Sequence, residues 1–166
     1  MRKSNKKGFT LVELVVVIAI IGVLAAILIP TMMNYVKKSR LRTANSNAKL
    51  VFTQVNNMAS DKIADGDAVS TLTVANDAVK NFKGNNSHPL NAAVWEALKD
   101  NGESGAGYVS LKFDPKDKDG SAGNYCQWQT NGEAADQITG QWPNAPKDVD
   151  KAESLTFGTY NAAINT

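Results

Sequence analysis

The sequence predicts an α+β fold: a long N-terminal helix, apolar in its first half and amphipathic in its second, packed on a small antiparallel sheet. Three observations carry this expectation. Leu14 to Ile29 is a run of sixteen residues without a charge. From Leu41 to Met58, apolar residues recur at helical spacing. From Tyr108 onward, several short stretches alternate with a period of two.

The apolar run comes first. Phe9 to Ile29 is 21 residues, which as a helix is roughly 31 Å long and matches a hydrocarbon core of about 30 Å. An ordinary secretory signal, cut near Val23-Leu24-Ala25, is the plainer reading of such a run. Two features oppose it. The apolar character continues through Ala26-Ile27-Leu28-Ile29, and Glu13 would be a carboxylate without a purpose. Both flanks of the run are basic, so charge bias does not set its orientation.

Pro30 follows the run and Gly22 lies within it. Proline removes a backbone donor and glycine weakens a helix, so both are candidate kink positions in a helix that continues. The continuation is read from Leu41, Ala44, Ala48, Val51, Val55 and Met58. They form one stripe, with Thr43, Asn45, Asn47, Lys49, Gln54 and Asn56 between them. Under three heptads of stripe favours packing on a sheet over a coiled coil.

Asp61 to Gly66 should end the helix. Ala68 to Ala75 is either a short strand or loop. A second helix is expected at 89–100, with Pro89 in its first turn and Gly102 as a stop. Three strands are expected at 108–113, 125–130 and 154–160. They place Val109, Leu111 and Phe113 on one face, Cys126 with Trp128, and Leu155 with Phe157. Asp117-Lys118-Asp119-Gly120 is the expected turn between the first two strands. Gln141 to Pro146 is expected to be an irregular loop, with Trp142 plugging the core.

The chain has 166 residues and a formal charge of +2. The charge is uneven. Arg2, Lys3, Lys6 and Lys7 precede the apolar run, and Lys37, Lys38, Arg40 and Arg42 follow it. From Thr43 onward there are ten lysines against fifteen carboxylates, a net of −5. An acidic distal part argues against a broad nucleic-acid footprint. The basic collar can meet lipid phosphate or a neighbour's acidic surface.

Candidate chemistry is sparse. Cys126 is the only cysteine and His88 the only histidine, so neither a disulfide, a histidine-based triad nor a Cys/His metal site is expected. Cys126 reads as a small buried hydrophobe. Asp114 to Gly120 has a calcium-loop flavour. Counted back from Gly120, however, the first ligand position is Pro115 and the late glutamate position is Cys126, so an EF-hand fails. Without a metal, a cofactor or a catalytic constellation, an enzyme is not expected.

The stretch Gly8-Phe9-Thr10-Leu11-Val12-Glu13, preceded by a basic leader and followed by the apolar run and Pro30, resembles the class III signal of type IV pilins and pseudopilins. The resemblance covers residues 1 to about 60. It implies a division into a leader (1–8, removed), a transmembrane and filament-core helix (9–30), an amphipathic helix (31–60) and a globular α+β head (61–166). It implies cleavage between Gly8 and Phe9 by a prepilin peptidase, and N-methylation of Phe9. It also implies a homo-oligomeric helical filament, an assembly platform protein, and membrane lipid as the surroundings before assembly. The N-terminus would be cytoplasmic before assembly, and the filament extracellular.

Physical reasoning fits these roles. Gly8 lets the backbone lie extended in a protease cleft. Cleavage creates an amine with an ordinary pKa of about 7.7–8.0. Glu13 lies one turn later and can meet that amine, its own or a neighbour's, so with Thr10 it is a candidate assembly residue. Two unpaired charges in the bilayer are costlier than a pair. A pilus subunit serving adhesion, twitching motility or surface attachment is the first reading. A pseudopilin of a type II secretion or DNA-uptake system is the alternative, disfavoured by a head of over 100 residues. The missing cysteine pair of many Gram-negative pilin heads fits a Gram-positive or otherwise divergent source.

Overall fold

The computed structural model describes residues 8–79, 90–101, 107–117, 123–130 and 137–166. The chain divides into two compact units, Met1–Val36 and Lys37–Thr166.

Helix α1 spans Leu11–Ala64 and carries Pro30 in its interior. Its end is specified locally. Gly66 takes a φ of +99°, a conformation that costs glycine little. The Gly66 N–H then donates to the Ile63 carbonyl (3.2 Å) and the Asp67 N–H to the Lys62 carbonyl (2.9 Å). This is a Schellman closure, which satisfies the last carbonyls of the helix. The Lys62 ammonium also reaches Asp67, at 3.3 Å.

Within the first unit the described chain is helix from Leu11 and its large apolar side chains point outward. Within the second unit α1 buries Leu41, Ala44, Asn47, Ala48, Val51, Val55 and Ala59. Leu41, Ala44, Ala48, Val51 and Val55 are stripe residues expected from sequence, with Met58 half-buried at the edge, whereas Asn47, expected between them, is also buried. Each fully buried valine or leucine contributes roughly 1.5–3 kcal/mol.

The partner surface is a four-stranded antiparallel sheet in the order β1-β2-β3-β4. Its strands are β1 (Val74–Val79), β2 (Tyr108–Phe113), β3 (Tyr125–Gln129) and β4 (Gly140–Trp142). Register places Val109 opposite Trp128 and Leu111 opposite Cys126. With Phe113 these residues form the face turned to α1, and Phe113 meets Phe52 edge-on at 6.3 Å. Helix α2 (Asn91–Leu98) adds Ala93, Val94, Ala97 and Leu98 to the same core and runs on into a 3-10 turn at Lys99–Asn101. The expected helix boundaries at Pro89 and Gly102 lie outside the described residues.

The helix and sheet approach closely at Gly140. A Cβ there would lie 2.1 Å from the backbone of Ala44. Glycine is what permits this approach. The Asn45 amide then bridges the layers, donating to the Pro146 carbonyl at 2.9 Å and accepting from the Gln141 N–H at 3.3 Å.

The stretch expected as a third strand, 154–160, is not one. Residues 149–153 form a short helix, α3 (Val149–Glu153), capped by Asp148. The chain then continues as turns to Thr166. The sheet is completed instead by Gly140–Trp142, expected to be loop, which pairs Gln141 with Gln127.

The reason lies on the outer sheet face. Gln127 and Gln141 are both fully buried there. Gln127 donates to the Thr159 carbonyl (2.8 Å) and accepts from the Gly158 N–H (2.7 Å). Gln141 donates to the Asn161 carbonyl (2.8 Å) and accepts from the Asn161 N–H (3.0 Å). Side-chain amides thus take the place of a neighbouring strand, and residues 158–161 lie across the sheet face instead of beside it.

Two smaller points differ or sharpen. The segment 68–75 holds a 3-10 turn (Val69–Thr71), and its strand begins only at Val74. A turn at Asp114–Asp117 follows β2, tied by the Asn124 side chain to both the N–H and the carbonyl of Asp114. The rest of the expected turn at 117–120 is outside the described residues.

Candidate functional site

The candidate site is the start of α1. Thr10 is its N-cap, since its carbonyl accepts the first intrahelical bond, from the Leu14 N–H at 3.3 Å. The Thr10 hydroxyl accepts from the Glu13 N–H (3.2 Å). The Glu13 carboxylate in turn accepts from the Thr10 N–H (2.8 Å) and from its hydroxyl (2.7 Å). This reciprocal arrangement is a capping box, in which a threonine and a glutamate three residues on satisfy each other's orphan donors. The Thr-x-x-Glu spacing signals it in sequence, beside the functional reading of Glu13.

Gly8 and Phe9 precede the cap and are not helical. Phe9 is 92% exposed. A Cβ on Gly8 meets nothing within 4 Å, and neither does one on Gly22. The bond between Gly8 and Phe9 therefore lies on exposed backbone outside the helix. Gly8, Phe9, Thr10 and Glu13 sit together at the helix start, whereas Gly22 and Pro30 lie three and more turns along.

Thr31 follows Pro30 inside the helix. The Thr31 hydroxyl donates to the carbonyls of Leu28 (2.9 Å) and Ile27 (3.3 Å). Sequence reading missed this use of Thr31. In an apolar setting a backbone carbonyl must find its donor within the chain.

Between Phe9 and Val36 the helix is apolar on all sides. All the large exposed hydrophobics of the described chain except Leu50 and Ile63 lie in this stretch. The helix is long and apolar enough to cross a membrane by length and composition, and none of its most apolar window is buried within the chain. A helix that is hydrophobic all round is covered by a membrane or by other protein.

Elsewhere Trp142 is half-buried against the core with the Lys49 ammonium 4.6 Å from its ring centroid. Cys126 is fully buried, and burial pushes its thiol well above the ordinary range. Among the described residues no group of three His, Cys, Asp or Glu is placed to hold a metal ion.

Residues 3–29 match the family described as the prokaryotic N-terminal methylation motif. The type IV major fimbrial protein FimA of Dichelobacter nodosus is 44% identical over 59 residues, 36% of this chain and 38% of that one. The type IV major pilin protein PilA of Myxococcus xanthus is 43% identical over 58 residues, 35% of this chain and 26% of that one. Fimbrial protein EcpC of Eikenella corrodens is 54% identical over 44 residues, 26% of this chain and 29% of that one. The aligned part thus spans less than two fifths of each relative's length. No solved structure matches the chain. The relatives are named as fimbrial and pilin proteins, and the chain is similar to them through its N-terminal motif and apolar helix.

Proposed function

We propose that the protein is a prepilin, matured into the structural subunit of an extracellular type IV pilus. The leader 1–8 is removed by a prepilin peptidase on the cytoplasmic side, and the new Phe9 amine is N-methylated. Residues 9–30 anchor the subunit in membrane lipid and then, with the help of an assembly platform, form the filament core. Gly22 and Pro30 are where that helix yields on packing. Adhesion, twitching motility or surface attachment follows from the filament.

One observation carries this reading. The Gly8–Phe9 bond is exposed and non-helical, directly before a capped helix whose apolar surface no described residue covers. The fold has no steric need for glycine at position 8, so the residue reads as a requirement of a processing partner.

Electron microscopy of sheared surface material, with mass spectrometry of its N-terminus, tests the proposal. Filaments containing a chain that begins with N-methyl-Phe9 are expected. A chain beginning at Ala26 would overturn it. Gly8→Val should accumulate as uncleaved, membrane-bound precursor; normal processing of that variant would remove the assigned cut site. A pseudopilin is distinguished by loss of secretion or DNA uptake, without loss of surface filaments, when the gene is deleted.

A further inference from the structure

In the second unit, the last turns of α1, the turn after β2 and the end of β4 enclose an open cavity of about 550 Å³. Phe52, Phe113 and Trp142 supply aromatic walls, and Asp114 and Asp117 supply carboxyl groups. No lysine or arginine is among the described residues that line it. The turn carrying the carboxyls is fixed from behind, because the Asn124 amide donates to the carbonyls of Asp114 (3.0 Å) and Asp117 (3.4 Å). Trp142 already holds one cation, the Lys49 ammonium at 4.6 Å from its ring centroid. Ile63 gives the cavity an apolar edge and is itself 39% exposed. Aromatic rings beside carboxylates favour a cation. They favour a guanidinium over an ammonium, because it is planar, stacks on rings and pairs with a carboxylate through two N–H groups.

The same unit carries the cation that fits. At about 100° per residue, Lys38, Arg42, Lys49, Asn56 and Ser60 lie within about 40° of one line along α1. That line begins with exposed cations and ends at the cavity, which Asn56 and Ser60 line. Arg42 is the one arginine on it. It is exposed and has no ion-pair partner among the described residues. Arg42 and Ser60 are 18 positions apart, roughly 27 Å of helix, so a chain cannot fill its cavity with its own Arg42. A second copy shifted along α1 by about that distance can.

We propose that this cavity is the socket for Arg42 of a second copy of the chain, with the guanidinium between the aromatic walls and paired with Asp114. The proposal rests on the reading of the chain as a filament subunit and names the residues of one contact in it. Plug and socket are different patches on one side of α1, so the contact is heterologous. A step directed mainly along the helix axis does not close into a ring, so the contact propagates from copy to copy. It also covers the exposed Ile63 edge.

The test uses sheared filaments of the full chain carrying Ser46→Cys and Ser60→Cys, treated with a short bis-maleimide. Ser46 is exposed about one turn from Arg42, and Ser60 lines the socket. Within one chain the two are roughly 21 Å apart along the helix, beyond the reach of the linker, and Cys126 is buried away from it. A ladder of dimers, trimers and higher multimers is expected from the double variant, and monomer alone from each single variant. Dimers from Ser60→Cys alone would mean that the patch meets itself, and overturn the proposal. Arg42→Glu should lower the ladder about tenfold, and Asp114→Lys added to it should restore the ladder, since like charges face each other in the first case and opposite charges in the second. An undiminished ladder in Arg42→Glu, or no recovery in the paired reversal, overturns the contact. Maleimide that reaches Ser60→Cys as fast in filaments as in detergent-dispersed chain leaves the cavity open to a different ligand and overturns it too. Filaments without a ladder sink this contact alone, whereas an unmodified chain that yields no filaments sinks the subunit reading.

Discussion

Thr10 and Glu13 cap each other: the hydroxyl of one accepts the N–H of the other at 3.2 Å, and the carboxylate returns the contact at 2.8 and 2.7 Å. Glu13 therefore has a structural task in the single chain before any assembly takes place. Its cap and its charge are separable by substitution. Glutamine keeps the capping geometry and removes the charge, while valine removes both. If register depends on a carboxylate meeting the Phe9 amine, Glu13→Gln and Glu13→Val should both be cleaved normally and both yield few surface filaments. Thr10→Val should weaken the helix start by about 1 kcal/mol and still give filaments. Immunoblots of mature chain and yields of sheared filament read these outcomes. Wild-type filament from Glu13→Gln would reduce Glu13 to its capping role.

Gly140 is a close approach between helix and sheet. In Gly140→Ala the added carbon would fall 2.1 Å from the Ala44 backbone. Neither backbone can yield cheaply, so a loss of about 3 kcal/mol is expected. Thermal unfolding of the full chain in detergent measures it. An unchanged midpoint would mean that β4 lies further from α1 than the structure places it.

The Gln127 amide holds the chain at Gly158 and Thr159. Gln127→Leu removes the side-chain partner of both the Gly158 N–H and the Thr159 carbonyl, at a cost of about 0.5–1.5 kcal/mol for each bond. The loss should be local first. Hydrogen exchange at 158–161 should rise before exchange in β2 and β3 does. Uniform acceleration across the sheet would show that these residues are part of one cooperative unit.

Alkaline pH acts on Cys126 and Tyr125. Burial raises both above their ordinary values of 9.0 and 10.0. A group with a raised folded pKa supports stability below its unfolded pKa and loses that support as pH rises past it. Stability should therefore fall as pH climbs above about 9. Iodoacetamide should label Cys126 about a hundredfold more slowly in the native chain than in the unfolded one, because only the thiolate reacts and burial suppresses it. Equal rates would contradict the burial.

What the sequence determined by itself was periodic or local. The stripe Leu41–Val55 and the alternation at 108–113 and 125–129 encode one buried face each, so a single element reveals them. The helix stop at Gly66 and the Thr10–Glu13 cap are set by residues within six positions of one another. The N-terminal methylation motif that residues 3–29 match is also contiguous, so it was legible as a whole.

Tertiary structure decided what depended on distant partners. Gly140–Trp142 carries too few residues to show a period, and it became a strand because Gln127 and Trp128 lay in register beside it. Residues 154–160 alternate like a strand, yet the Gly158 N–H and the Thr159 carbonyl are taken by the Gln127 amide from the sheet face. Gln141 lay in the stretch expected as loop, and Gln127 and Gly140 carried no expectation of their own. Their roles arise from contacts between residues about 20 to 100 positions apart, and no local pattern records such a contact.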